Sequence, residues 1–488
     1  MTSGSPLPSR WVAGLLPILI WIGPLAMTLV ATPAIVHGLG PNAYGAYSIV
    51  VAIVAFAVMP PSQAAVAKFT ASKSVTLADM DGLLLRILAV QMVAVAANVL
   101  LVGLVDRLVG INLPSDGGAQ HVLFLASFAV WLIATAMIQV FSGALQYLGH
   151  WRLAAGVLLL TGCTYPLVGV VLVLLGTDWL VVVAGQAAAA LVGSVVMMGF
   201  YRSVAPSGGG PVGSPPALPT IAGFLLRTGI AAGIGSVMAL AERLFLAARF
   251  GPESAGRFAV AMSLAMLIHG LMQSANLRLP QLLSSALRQG GRSDMEAIYR
   301  FAMRLTLAAT ALVMTLVLAL GERFLLLWLG QEFGSNVVPL LPWLAVAMSG
   351  LAVAVPVWML ADVAGQERLN IALMAGLMLA WAICAAILVP RQGADGIALA
   401  RLSVPFCVAI YVVAVEFRVF GAFAGAFWAL TMLRCGLVAA MTFALATHFA
   451  PHGWSGLVAT AFASVAVNLV AGLLTGLLRP LDLEAKHG

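Results

Sequence analysis

Apolar stretches of roughly 20 residues, the length that crosses a hydrocarbon core of about 30 Å, follow one another from Trp11 to Leu478 with only short breaks. The breaks are polar or rich in glycine and proline. Lipid offers a backbone no hydrogen-bond partner, so each stretch must close its own hydrogen bonds as a helix. The pattern predicts fourteen helices: 11–36, 44–67, 83–105, 121–145, 153–176, 178–201, 220–248, 255–281, 302–329, 337–362, 369–389, 396–416, 422–446 and 454–478. The expected fold class is an all-α polytopic membrane protein with about 14 transmembrane helices.

Two passages of the chain are written twice. Gly251-Pro252-x-x-x-Gly256-x-Phe258 repeats Gly40-Pro41-x-x-x-Gly45-x-Tyr47 at an offset of 211 residues, and the run from Gly365 to Leu369 echoes the run from Gly149 to Leu153 at an offset of 216. Echoes in the same order at nearly one offset predict a duplicated bundle. Each repeat then holds six helices, an even number, so both run the same way across the membrane. The expected organisation is an N-terminal six-helix bundle over 1–201, a cytoplasmic linker over 202–219, and a second bundle over 220–416. Two additional helices and a cytoplasmic tail occupy 417–488. The linker contains VAPSGGGPVGSPPALP, a composition that keeps a chain flexible.

Composition agrees with this pattern and narrows the function. Hydrophobic residues make up 62% and charged residues 8%, with a mean hydropathy of +1.06, whereas about a quarter of a soluble domain is charged. A net charge of +7 does not point to nucleic acid, because the basic residues are dispersed among loops and form no patch. They report topology instead. With the amino terminus inside, 15 Lys and Arg fall on inside segments and 5 on outside loops, a bias that makes both termini cytoplasmic. The amino-terminal apolar stretch is too long for a secretory signal and is expected to remain in the mature protein. The four cysteines sit inside apolar stretches with no metal-ligand spacing and read as packing residues. No cofactor or metal is expected. The segment from Ser284 to Arg304 reads as an amphipathic surface segment, either a solvated loop that fixes topology or a contact for anionic headgroups. No loop is long enough for an enzyme domain, and no P-loop consensus occurs.

A few polar residues lie at membrane depth, where they are costly and mark candidate functional sites. Glu242 and Arg243 interrupt the seventh apolar stretch. Adjacent side chains on a helix point about 100° apart, so the two cannot face one neighbour. Either each is partnered across the bundle or at least one faces a cavity. Arg434 lies near the middle of helix 13 and needs a buried acid, a watery cavity or an anionic ligand. Arg278 and Arg401 lie near helix ends and are expected to snorkel. On helix 8, His269, Gln273 and Asn276 share one face by their spacing of four and three, which suits helix–helix hydrogen bonding as well as a pore lining. Protonation of His269 during transport is one further reading. Gln63, Gln91, Asn98, Gln139 and Gln186 are scattered through the first repeat with no usable spacing. Trp179, Trp328 and Trp454 read as interfacial anchors.

The wording LGPNAYGAYS after helix 1 and FGPESAGRFAVAMSLA after helix 7 resembles the polysaccharide-transporter branch of the multidrug, oligosaccharidyl-lipid and polysaccharide exporter superfamily. Glu242-Arg243, Pro280, the loop from Ala364 to Asn370 and the run LVPRQGADGIALA from Leu388 add to the resemblance. It implies a flippase, not an enzyme. Such a flippase moves an undecaprenyl-diphosphate-linked oligosaccharide, an O-antigen or exopolysaccharide unit, from the inner to the outer leaflet of a bacterial plasma membrane. Alternating access of two bundles about a central cavity, coupling to an ion, and work alongside a polysaccharide polymerase are implied with it. Arg243 and Arg434 are the expected phosphate-binding cations, with Glu242, His269, Gln273 and Asn276 in the cavity. A multidrug-type antiporter, in which an acid is essential, and a peptidoglycan lipid-precursor flippase are the competing expectations.

Overall fold

The computed structural model describes residues 8–57, 62, 65–66, 69, 77–109, 118–205, 216–276, 278–289, 291–449 and 453–477. Among these the regular structure is all helix: α1 (Pro8–Leu39), α2 (Pro41–Ala57), α3 (Leu77–Val109), α4 (Ala119–Tyr147), α5 (Trp151–Leu174), α6 (Trp179–Val204), α7 (Leu218–Phe250) and α8 (Pro252–Ala275). The chain continues as α9 (Leu279–Gln289), α10 (Gly291–Leu329), α11 (Gln331–Val337), α12 (Leu341–Val363), α13 (Glu367–Gln392), α14 (Asp395–Ala400), α15 (Ser403–Phe420), α16 (Gly425–His448) and α17 (Gly453–Leu474).

Eleven spans among the described residues are long and apolar enough to cross a membrane, and Gly23–Leu39 and Pro41–Val54 are shorter apolar helices. The protein is therefore a multi-pass, all-α membrane protein. The chain divides into two compact units, 1–259 and 260–488. In the first, α1 packs on α5, α4 on α6 and α7 on both α2 and α3. In the second, α10 packs on α12 and α16, α12 on α15, and α17 on both α10 and α16.

The doubled motifs have doubled geometry. Gly40 and Gly251 stand at φ 79° and 88°, a left-handed conformation that glycine adopts without a Cβ penalty. Each is followed by a proline that opens the next helix, where its fixed φ suits the first turn and its missing N–H costs nothing. Within the first unit the two copies also meet. A Cβ added to Gly45 would lie 1.9 Å from the Pro252 carbonyl oxygen, and one added to Gly256 would lie 3.2 Å from the Cα of Gly45. The second echo repeats the pattern, with Gly149 and Gly365 at φ 83° and 70° at the turns into α5 and α13.

Four boundaries differ from the hydropathy pattern, each for a local reason. The eighth helix stops at Ala275 rather than near 281. Pro280, second residue of α9, cannot donate within a continuing helix and clashes with the preceding turn. The expected surface segment from Ser284 to Arg304 is instead the end of α9 and the start of the 39-residue α10, with Gly291 at φ 76° turning between them. At about 1.5 Å per residue α10 is about 58 Å long, so its amino-terminal part projects beyond an apolar layer of about 30 Å. The tenth helix starts at Leu341 rather than 337, after the separate short helix α11, and the twelfth is broken at Arg401 into α14 and α15. Elsewhere local chemistry sets the ends as usual: Asp178 caps α6, its carboxylate accepting from the Val181 N–H at 3.0 Å.

The middle of the expected linker, residues 206–215, lies outside the described residues. Its last part is fastened to the first unit, where Arg86 Nη1 on α3 donates to the Pro216 carbonyl at 2.6 Å. Also on α3, Asp81 accepts from the Tyr201 hydroxyl at 2.8 Å and from Arg202 at 2.9 Å.

The approach at Gly45 leaves no room for a methyl group, because its nearest neighbour is backbone. Gly45→Ala is expected to destabilise the protein by about 1–3 kcal/mol through overpacking, read as a lower melting temperature in detergent. Gly199→Ala in α6, where an added Cβ meets nothing within 4 Å, is expected to melt like the wild type or slightly higher.

Candidate functional site

In the first unit the expected pair lies where α7 faces α2. Glu242 is fully buried, at 0% exposure. Arg243 turns the other way, as its position on the helix requires. Its Nη1 donates to the Ser48 carbonyl of α2 at 3.0 Å, and Tyr44 lies within its electrostatic reach. Ser48 in turn donates to the Gly45 carbonyl at 2.8 Å, so the cation is anchored one turn from the close glycine contact. Tyr44 and Tyr47 stand with ring centroids 6.1 Å apart. The Tyr47 hydroxyl accepts from Gln186 Nε2 at 2.8 Å, and the same amide nitrogen reaches the Tyr165 carbonyl at 3.1 Å. A fixed guanidinium, a buried acid and a tyrosine–glutamine network thus line one stretch of the unit. The sequence singled out Glu242 and Arg243, and named Gln186 and Tyr47 without relating them to each other. The available signal was that Tyr47 is the aromatic member of the doubled motif.

In the second unit, the helix 8 stripe is resolved into separate tasks. Asn276 is buried and donates to the Met272 carbonyl at 2.9 Å and across to Thr306 on α10 at 3.1 Å. This is helix–helix hydrogen bonding. His269 hydrogen-bonds the Leu351 backbone of α12, and its buried Nδ1 has no partner. Gln273 is half-buried. Asn276 also lines a cleft of about 360 Å³ formed by α8, α9, α10 and α17. The cleft walls are apolar, including Met272, Leu279, Phe301 and Leu305, and Arg278 joins them between α8 and α9. Arg401 does not snorkel as expected: it is 5% exposed at the break between α14 and α15.

Arg434 on α16 lies within electrostatic reach of Arg304 on α10, a neighbour that sequence reading treated only as a marker of topology. Nothing in the sequence relates positions so far apart. A second feature missed by the sequence is Glu416, 1% exposed at the end of α15. Its Oε1 accepts from the Tyr299 hydroxyl at 3.0 Å and Trp428 Nε1 at 2.8 Å, and its Oε2 from the Ala424 N–H at 3.1 Å. This acid ties α10, α15 and α16 together through neutral donors. Among the described residues no group of three His, Cys, Asp or Glu is arranged to hold a metal ion.

No family model matches the sequence, and no curated protein does. Solved structures do match. An inward-facing multidrug resistance MATE family transporter of the MOP superfamily aligns with a TM-score of 0.63 at 15% identity, covering 83% of this chain and 98% of that one. The lipid II flippase MurJ in an inward closed conformation aligns at 0.68 and 12% identity, covering 94% and 97%. A MOP superfamily transporter from Pyrococcus furiosus aligns at 0.57 and 14% identity, covering 84% and 96%. The chain has the fold of the MOP superfamily transporters. That fold is the one the sequence resemblance implies.

Removing one donor from a buried carboxylate leaves part of its desolvation uncompensated, which costs about 1–3 kcal/mol. Tyr299→Phe and Trp428→Phe are each expected to lower the melting temperature of the purified protein. An unchanged melt in both variants would show that the α15–α16 joint does not depend on Glu416.

Proposed function

We propose that the protein is a lipid flippase of a bacterial plasma membrane. It carries an undecaprenyl-diphosphate-linked oligosaccharide, an O-antigen or exopolysaccharide unit, from the inner to the outer leaflet by alternating access, and catalyses no chemical step. Such a cargo has a long hydrocarbon tail and a diphosphate, and it needs apolar room together with fixed cations. The observation that carries the reading is the apolar cleft of about 360 Å³ with Arg278 in its wall. Arg243, held by the Ser48 carbonyl, supplies a second cation. The greater share of this chain taken in by the likeness to the lipid II flippase, 94% against 83% for the MATE transporter, supports a lipid-linked cargo. Both termini are assigned to the cytoplasm on the charge bias, and a polysaccharide polymerase is the expected partner downstream.

A second reading rests on Glu242. A fully buried acid in a chain with this fold suits ion-coupled export of a small molecule, for which the acid is indispensable. A peptidoglycan lipid-precursor flippase would share the cleft and the cations, and its depletion would be lethal.

A deletion strain is expected to accumulate polyprenyl-linked sugar on the cytoplasmic face, and Arg243→Gln to reproduce that accumulation at normal protein levels. Intact sugar export in Arg243→Gln, together with loss of drug efflux in Glu242→Gln, would replace the lipid reading by the antiporter one.

A further inference from the structure

We infer that Arg304 and Arg434 together form a binding site for the phosphate of an anionic lipid headgroup, on the membrane-facing side of the α10–α16 pair. This site lies wholly in the second unit. It does not depend on which cargo is carried.

Arg304 and Arg434 lie within electrostatic reach of one another, and like charges set side by side repel, a repulsion that a bound anion offsets. The acids nearby are already engaged. Glu296 pairs with Arg300 one turn below, and Glu416 is filled by the Tyr299, Trp428 and Ala424 donors. Among the described residues neither Arg304 nor Arg434 has a carboxylate within ion-pair distance, and the buried Nε of Arg304 has no hydrogen-bond partner. Aromatic rings hold the basic face in place: Arg304 lies over Phe301 at 5.8 Å, and Arg300 lies over Phe427 of α16 at 5.7 Å. The guanidinium plane is thus set before any ligand arrives, which favours the forked recognition of phosphate oxygens.

The surroundings favour a lipid over free phosphate. Leu430, Leu433 and Leu437, which flank Arg434 on α16, are 49%, 61% and 55% exposed. On a membrane-spanning helix these apolar side chains meet acyl chains, so Arg434 opens onto lipid. Arg434 is nine residues from the start of α16, about 13 Å along the axis, and Arg300 against Phe427 puts Arg304 at a similar level. With the charge bias placing the start of α16 on the cytoplasmic side, the pair lies at inner-leaflet depth, within reach of a headgroup phosphate drawn slightly inward.

Full-length protein purified in detergent would be titrated with phosphatidylglycerol and, separately, with inorganic phosphate. Lipid adducts would be read by native mass spectrometry. Arg304→Gln and Arg434→Gln are each expected to weaken phosphatidylglycerol binding roughly five-fold, in line with the attraction of one cation near an anionic lipid, and the double variant by more than about ten-fold. Arg418→Gln, at the exposed end of α15, is expected to leave binding unchanged. The double lysine variant keeps both charges but not the fork, and is expected to bind more tightly than the double glutamine variant and more weakly than the wild type, which separates loss of charge from loss of fold. Adducts of the double glutamine variant equal to those of the wild type would overturn the site. Equal displacement of lipid by inorganic phosphate would assign the pair to a soluble anion and overturn the lipid assignment.

Discussion

The constraint on which the first unit depends is the backbone contact between the two copies of one motif, where Gly45 lies against the Pro252 carbonyl and Gly256. No side chain fits between them, so the backbones pack directly and by van der Waals contact, which is how helices associate where the solvent is as apolar as they are. The neighbouring features take their places from this approach. Ser48 is held by the Gly45 carbonyl, Arg243 reaches the Ser48 carbonyl, and Tyr44 and Tyr47 flank the same turn. The glycines that end α1 and α7 in left-handed conformation let each chain reverse abruptly enough for its motif to reach the meeting point.

The two units solve the problem of buried charge differently. In the first, a cation is anchored on a backbone carbonyl beside a fully buried acid. In the second, an acid is satisfied by a tyrosine, a tryptophan and a main-chain N–H, while two arginines are left as neighbours. Burying an ion is tolerable when hydrogen bonds replace its hydration, and Glu416 meets that condition with neutral groups alone. Arg304 and Arg434 do not meet it from within the protein, and for that reason they draw attention as a site.

Much of the architecture was legible because the bilayer admits few solutions. Length and apolarity placed the helices, and the repeated Gly-Pro wording located two reversals that the structure builds alike. What escaped was local breakage: Pro280 and Gly291 restart the chain as new helices, and the break at Arg401 lies inside a stretch that hydropathy reads as continuous. Glu242 and Arg243 were legible because charge in an apolar run stands out. Glu416 was not, since an acid at the end of such a run looks like an interface residue. Arg304 was hidden by company, as one of several arginines on a basic segment whose partner lies 130 positions away. Asn276 carried a signal with two meanings, and the structure shows it bonded to Thr306 and lining the cleft as well.

The fastenings at the ends of the two units differ in their sensitivity to ionic strength. Asp81 and Arg202 meet with 32% and 63% of their side chains exposed, so dissolved ions screen their attraction readily. The Glu416 joint has no cation to screen and no surface through which ions could enter. Concentrated salt therefore weakens the Asp81–Arg202 contact and leaves the Glu416 joint as it is.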